Sequence, residues 1–246
     1  MSAWSPDQYE KFKAERSQPF RDLVALIEPR PNMRIADLGC GTGELTRALH
    51  EELGARETIG IDNSASMLAK APSAPGLQFR NESIESFNER GFDLIFSNAA
   101  LHWIADHESL FRRLVPLGKQ IAVQMPANDD HPSHVTAAEV ARELGMTPKP
   151  AHVLEPERYS QILYDLGFRK QHVRLQIYGH VLPSSEDVIE WVKGTLLTVY
   201  MHEPRFLPLY RERLLARIGN QRPYFYTYKR VLLLGEDRME SENDRH

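Results

Sequence analysis

Short apolar runs alternate with helical stripes along the first half of the chain. Met33 to Leu38, Thr58 to Asp62, Leu77 to Arg80, Gly91 to Asn98 and Gln120 to Met125 are brief stretches of strand character. Between them, Glu44 to Leu53, Ser64 to Lys70 and Asp106 to Leu114 read as helices. Strand, helix and strand in succession make βαβ units, because parallel neighbours need a crossover and a helix supplies it. The run from Gly91 to Asn98 is continuously apolar rather than alternating, which places it centrally, covered on both faces. Ahead of the first strand, two helices are expected, Gln8 to Ala14 and Phe20 to Glu28, broken by Pro19. The second turns Leu23, Val24, Leu26 and Ile27 inward.

After Pro126, which ends the fifth strand, the rhythm loosens. One helix is expected between Pro132 and Gly145, then a proline-rich linker, then a helix from Glu157 to Leu166 closed by Gly167. Val173, Leu175 and Ile177 alternate with polar residues, so Lys170 to Tyr178 is expected to be an outer strand with one wet face. Ser184 and Asp187 resemble a capping box ahead of Val188, Trp191, Val192 and Thr195, and a further helix covers Glu203 to Ile218. Together these form a candidate cap. Phe225 to Leu234 is the last strand, and the charged stretch from Glu236 to His246 is expected to be a disordered tail. The expected architecture is α/β, a mostly parallel seven-stranded sheet with helices on both faces and a small helical cap. It is read as one domain: helices over 1–30, a cofactor-binding half over 31–126, a substrate side over 127–235 and the tail over 236–246.

Composition narrows the partners. With 246 residues and 41% hydrophobic content the chain can bury one sizeable core. A formal charge of −4, with no basic block interleaved with aromatics, argues against nucleic acid. No apolar run approaches the roughly 20 residues that span a bilayer, so no membrane role is expected. Cys40, the only cysteine, cannot form an intramolecular disulfide, and Met1 to Asp7 lacks a basic region followed by an apolar core. Cytoplasm is the expected location.

The candidate chemistry sits in Asp37-Leu38-Gly39-Cys40-Gly41-Thr42-Gly43-Glu44. This loop joins a strand to a helix with almost no side chains, so a ligand can lie against backbone, and amides at the helix start are placed to meet an anionic group. A dinucleotide fingerprint would need glycine where Glu44 stands, and a P-loop would need Lys-Ser/Thr after Gly43. Neither is present. What remains, D-x-G-x-G-x-G, resembles the first motif of class I S-adenosylmethionine-dependent methyltransferases. Asp62 ends the second strand beside the loop, where it can accept hydrogen bonds from both ribose hydroxyls, or else cap the helix starting near Ser64. Asp37 is a candidate for the ligand's ammonium group. Cys40 is read as a small buried filler.

A narrower resemblance is carried by Trp4 to Arg16, Asn98-Ala99-Ala100-Leu101-His102-Trp103, Ala122-Val123-Gln124-Met125-Pro126 and Glu190-Trp191-Val192-Lys193-Gly194-Thr195. Together these resemble the trans-aconitate methyltransferase family. The resemblance implies a Rossmann-like core with a helical cap, no metal, and esterification of a carboxylate of trans-aconitate from S-adenosylmethionine, leaving S-adenosylhomocysteine. On the cofactor side it adds Asn63, Met67, Ser83 and Asn98 to Asp37, Gly39, Gly41, Gly43 and Asp62. On the substrate side it suggests Tyr9, Arg16 and Arg230. Three positions depart from the family pattern. Thr198 stands where the family carries arginine, His102 replaces glutamine, and Ser83 aligns with the acid that helps read adenine.

Methyl transfer from a sulfonium is an in-line displacement, so alignment carries most of the burden. A carboxylic acid, with a reference pKa of roughly 4, is already a nucleophile at neutral pH and needs no base. An amine, phenol or alcohol would need one, and His102 is the candidate. His102 and Trp103, in the loop after the fourth strand, are the leading catalytic residues. Two alternatives stand beside carboxyl methylation: transfer to another small-molecule O, N or C nucleophile with His102 as base, and a non-catalytic S-adenosylmethionine-binding protein.

Overall fold

The computed structural model describes residues 13–238, with side chains for 17–236. The chain divides into two compact units. One holds residues 19–126, 152–176 and 230–238, the other 13–18, 127–151 and 177–229. Chain order runs α1 (Lys13–Val24), β1 (Arg34–Leu38), α2 (Glu44–Glu52), β2 (Glu57–Asp62), α3 (Ala65–Leu68), β3 (Leu77–Asn81), β4 (Phe92–Asn98), α4 (His107–Leu114) and β5 (Gly118–Pro126). It continues with α5 (Pro132–Glu143), α6 (Pro156–Asp165), β6 (Phe168–Leu182), α7 (Asp187–Lys193), α8 (Phe206–Ile218) and β7 (Tyr224–Arg238).

The seven strands form one sheet in the order β3-β2-β1-β4-β5-β7-β6, the Rossmann-like arrangement expected from the alternating pattern. β1 to β5 are parallel, with Ala36 level with both Ile59 and Ile95. β7 runs antiparallel to β5 and sets Leu232 opposite Gln124 and Arg230 opposite Pro126. The strand order reverses at β1 and β4, and the crevice beyond their carboxyl ends is where this topology receives ligands.

Phe20, Leu23, Val24 and Ile27 are buried with Ile35, Leu94, Phe96, Ala122, Leu232 and Leu234 in one apolar cluster, and Phe20 meets Phe96 edge-on at 5.8 Å. This burial corrects one expectation. Pro19 does not break the helix, which runs unbroken over Lys13–Val24. An interior proline costs about 3 kcal/mol. Burying Phe20, Leu23 and Val24 returns roughly 1.5–3 kcal/mol each, so packing outweighs the lost backbone bond. The helix also ends at Val24 rather than Glu28, while residues 8–12 lie outside the described residues.

The second unit has its own core, in which Tyr178, Trp191, Tyr200, Phe206, Tyr210, Tyr226 and Tyr228 are buried. Tyr178 and Tyr228 stack at 5.2 Å, and Tyr200 and Phe206 at 4.5 Å. Here α7 starts at Asp187 behind Glu186 without a side-chain cap, and the Ser184 hydroxyl donates to the Asp187 carboxylate at 2.7 Å. The expected capping box is therefore a side-chain pair. The last strand also runs further than expected, and residues 239–246, the rest of the expected tail, lie outside the described residues. β7 continues to Arg238, and Glu236 is only 5% exposed, facing Lys170 at 3.3 Å, so pairing with that lysine keeps the charged residue in the sheet.

Candidate functional site

The glycine loop is held by its own backbone. Gly39, Gly41 and Gly43 all have positive φ, at 78°, 58° and 73°. A Cβ at Gly39 would stand 2.2 Å from Ala100 Cβ, and one at Gly43 would stand 2.5 Å from the Phe79 ring. Only glycine meets both demands. The amides of Gly39 and Cys40 donate to the Ile61 carbonyl at 2.8 and 2.9 Å, Gly41 N donates to Asp62 Oδ2 at 2.9 Å, and Gly43 N donates to the Cys40 carbonyl at 3.0 Å. Four loop amides are thus spent inside the fold. These are loop donors, distinct from the amides at the start of α2 that the sequence places to meet an anionic group.

The two acids stand on the carboxyl edge. Asp37, at the end of β1, is 4% exposed and accepts the Thr46 hydroxyl at 2.6 Å. Burial pushes its carboxyl up to about 7, the Thr46 hydrogen bond opposes this, and the Asp62 charge adds to it. Asp62 is half-buried, and its second oxygen accepts Ser64 N at 2.8 Å. The helix cap beyond it is Ser64, whose hydroxyl accepts Met67 N at 3.4 Å, so Asp62 joins two loops and does not cap α3. Asn81 Nδ2 donates to the Asp62 carbonyl at 3.0 Å. Burial, then Asp37 and Asp62, push the Cys40 thiol far up, which removes the thiolate that nucleophilic chemistry would need.

The loop after β4 forms the opposite wall. Asn98 ends the strand, and Gln124 Nε2 from β5 donates to its Oδ1 at 2.7 Å. Gln124 is 2% exposed, and its own Oε1 has no hydrogen-bond partner among the described residues. Ala99 follows in the left-handed region at φ 56°, held by its amide donating to the Gln124 carbonyl at 2.8 Å. Such a conformation costs a non-glycine residue roughly 1–2 kcal/mol. It aims Ala100 at Gly39 and starts the 3-10 turn Leu101–Trp103. His102 is half-buried with its ring 4.7 Å from that of Trp103. Trp103 is 54% exposed, so core packing does not account for it. Arg230, half-buried, is two residues from Leu232 on β7 and shares the sheet face of the Asn98–Gln124 pair.

Asp37, Gly39, Gly41, Gly43, Asp62 and Met67 thus gather at one loop, with the Met67 methyl 3.3 Å from where a Gly41 Cβ would stand. Asn98, His102, Trp103 and Arg230 lie along the neighbouring strand ends. Asn63 is exposed. Ser83 binds Ser86, accepting its amide at 3.2 Å, and so closes a turn. Tyr9 and the Arg16 side chain lie outside the described residues. Thr198 is half-buried and donates to the Thr195 carbonyl at 2.9 Å. Sequence reasoning missed two residues as site members. Thr46 is a fully buried hydroxyl in an amphipathic helix, and Gln124 interrupts an apolar strand. A polar residue at an inward position was the available signal in both.

This acceptor-rich edge fits the zwitterionic sulfonium named above. Asp37 is a buried carboxyl that a neighbouring cation would favour, and Asp62 keeps lone pairs beside its two amide bonds. No group of three or more His, Cys, Asp or Glu that could hold a metal occurs among the described residues. Among them also, no helix is long and apolar enough to cross a membrane.

Known proteins point the same way. A methyltransferase domain is matched over residues 35–119. The chain is 42% identical over 252 residues to the trans-aconitate 2-methyltransferase of Deinococcus radiodurans, covering 94% of this chain and 97% of that protein. It is 37% identical to the protein of the same name from Afipia carboxidovorans, covering 91% and 92% of the two chains. Among solved structures it is similar in fold to a putative methyltransferase from Bacillus halodurans, with TM-score 0.59, 14% identity and 91% and 100% of the two chains covered. A Haemonchus contortus phosphoethanolamine N-methyltransferase in complex with S-adenosylhomocysteine gives TM-score 0.57 at 17% identity, over 91% of this chain and 53% of that one.

Proposed function

Because the chain belongs to the trans-aconitate 2-methyltransferase family of S-adenosylmethionine-dependent methyltransferases, we propose that it esterifies a carboxylate of a small polycarboxylic acid such as trans-aconitate. The observation that carries this reading is 42% identity over nearly the whole length of a protein of that name, joined to a sheet face that carries the Asn98 amide, oriented by Gln124, and the Arg230 guanidinium.

Bound S-adenosylmethionine supplies an electrophilic methyl group on a sulfonium. The chain's residues position and select. Asp62 would accept the ribose hydroxyls with the lone pairs left by Gly41 N and Ser64 N, and Asp37 would hold the ammonium group. Met67 covers the loop at Gly41, and Asn98 lies at the carboxyl edge beside it. Arg230 offers a planar fork for one carboxylate, leaving another to meet the methyl group. That second carboxylate is ionised at neutral pH, so transfer needs no proton removed. His102 and Trp103 line the acceptor side and exclude water.

A second reading rests on His102 itself and on Thr198 standing where the family pattern carries arginine. In it the acceptor is an amine, phenol or alcohol, and His102 takes its proton. Incubation with labelled S-adenosylmethionine and a panel of di- and tricarboxylic acids, amines and phenols separates the two. Carboxyl transfer predicts a base-labile methyl ester and activity retained in His102→Gln. Turnover confined to amines or phenols, abolished in His102→Gln, would establish the second reading instead.

A further inference from the structure

His107 begins α4 and is 2% exposed. Its Nε2 lies 3.1 Å from the Leu101 carbonyl, and its Nδ1 meets the Tyr159 hydroxyl. A carbonyl only accepts, so Nε2 carries the proton and Nδ1 presents its lone pair. The Tyr159 hydroxyl is then the donor to Nδ1, and its oxygen accepts Leu154 N at 3.1 Å. Both ring nitrogens are committed, and the geometry admits one neutral tautomer. This directed chain joins three separate segments: the Leu101–Trp103 turn, the first turn of α4, and the stretch from Leu154 into α6. Phe111 packs on the Tyr159 ring at 5.7 Å and closes the site from below.

The chain ends on the residue next to His102. We propose that His107 is a positioning residue for methyl transfer: as a neutral imidazole it ties the Leu101–Trp103 turn to α6 and so fixes the acceptor side of the site. This rests on the reading above that His102 and Trp103 face the acceptor. The titratable groups around the ring are Asp106 on its own segment, and His152 and Tyr159 from the segment packed against it. Burial holds the ring below the ordinary histidine value, with the Leu101 and Ile104 backbone acting against it. Protonation at Nδ1 would set a proton against the Tyr159 hydroxyl, which would have to turn away inside the protein. Acidification therefore leaves the Nε2–H bond to Leu101 in place and breaks the donation from Tyr159, so the turn loses its tie to α6.

Two measurements need no knowledge of the acceptor. Nitrogen-15 spectra of histidine-labelled full-length protein should contain one imidazole, absent from His107→Gln, that is the Nε2–H tautomer and takes up its second proton only below the range of a free histidine. An Nδ1–H tautomer, or ordinary titration of that ring, overturns the proposal. In Tyr159→Phe, amide exchange of a peptide covering residues 98–104 should be roughly fivefold faster, the equivalent of one lost hydrogen bond. Unchanged exchange also overturns it. With whichever acceptor turns over, kcat at saturating cofactor should fall roughly 10- to 100-fold in Tyr159→Phe while S-adenosylhomocysteine affinity stays within about twofold. His107→Gln keeps a donor for Leu101 and should retain more activity than His107→Ala, with the acid limb of kcat gone. An unaltered acid limb in His107→Gln refutes the positioning role. Failure of all carboxylic acids as acceptors refutes the proposed substrate and leaves the spectra and exchange to decide this inference.

Discussion

Asp37→Asn should make the ligand-free protein more stable, and by an amount that depends on pH. An unfolded aspartate ionises near 4, whereas burial has pushed the Asp37 carboxyl to about 7. Between these values the folded state keeps a proton that the unfolded state has lost. Stability therefore falls as pH rises from about 4 to 7 and levels off above. The difference of about three units, at roughly 1.4 kcal/mol each, sets a ceiling of about 4 kcal/mol for the cost of the buried charge at pH 8. Asparagine carries no charge and keeps an oxygen for the Thr46 hydroxyl, so it escapes that cost without losing the bond. Urea denaturation of both proteins at pH 5.5, 7 and 8.5 should show the variant's advantage growing to about 2–4 kcal/mol. For a chain of this length that corresponds to roughly 4–15 °C in Tm. The same variant should bind S-adenosylhomocysteine more weakly, since the cation's partner is gone. An advantage constant with pH, or a wild type more stable at pH 8.5, would show that Asp37 carries no buried-charge penalty.

Two further substitutions test the loop. Asp62→Ala removes the acceptor for Gly41 N and Ser64 N and, on the proposed reading, for the ribose, and should weaken S-adenosylhomocysteine binding by roughly 1–3 kcal/mol in calorimetry; unchanged affinity would take Asp62 out of the site. Gly39→Ala combines a left-handed φ of 78° with a Cβ 2.2 Å from that of Ala100. It should destabilise by roughly 2–4 kcal/mol, and adding Ala100→Gly should restore only the packing share. Full restoration by the second change would mean that the backbone conformation costs nothing there.

Local pattern specified much of this protein. Strand content, the parallel rhythm and the central place of Phe92–Asn98 follow from apolar runs and helical stripes, because burial on one or two faces writes a period into the chain. The glycine motif and Asp62 were legible for a related reason: positive φ and close approach leave few residue types that fit. The helix through Pro19 was not legible, since its cost is local while the compensating burial involves β1, β4, β5 and β7. Nor was the last strand's length, because Glu236 stays in the sheet beside a lysine 66 positions away.

Contiguous residues thus carried the fold class, the cofactor and the glycine motif. Folding alone raises the Asp37 carboxyl to about 7, turns four loop amides inward, sets Gln124 to orient Asn98 and commits His107 to one tautomer. Each depends on burial and on partners brought together across the sheet, and desolvation and hydrogen-bond direction exist only once those partners meet.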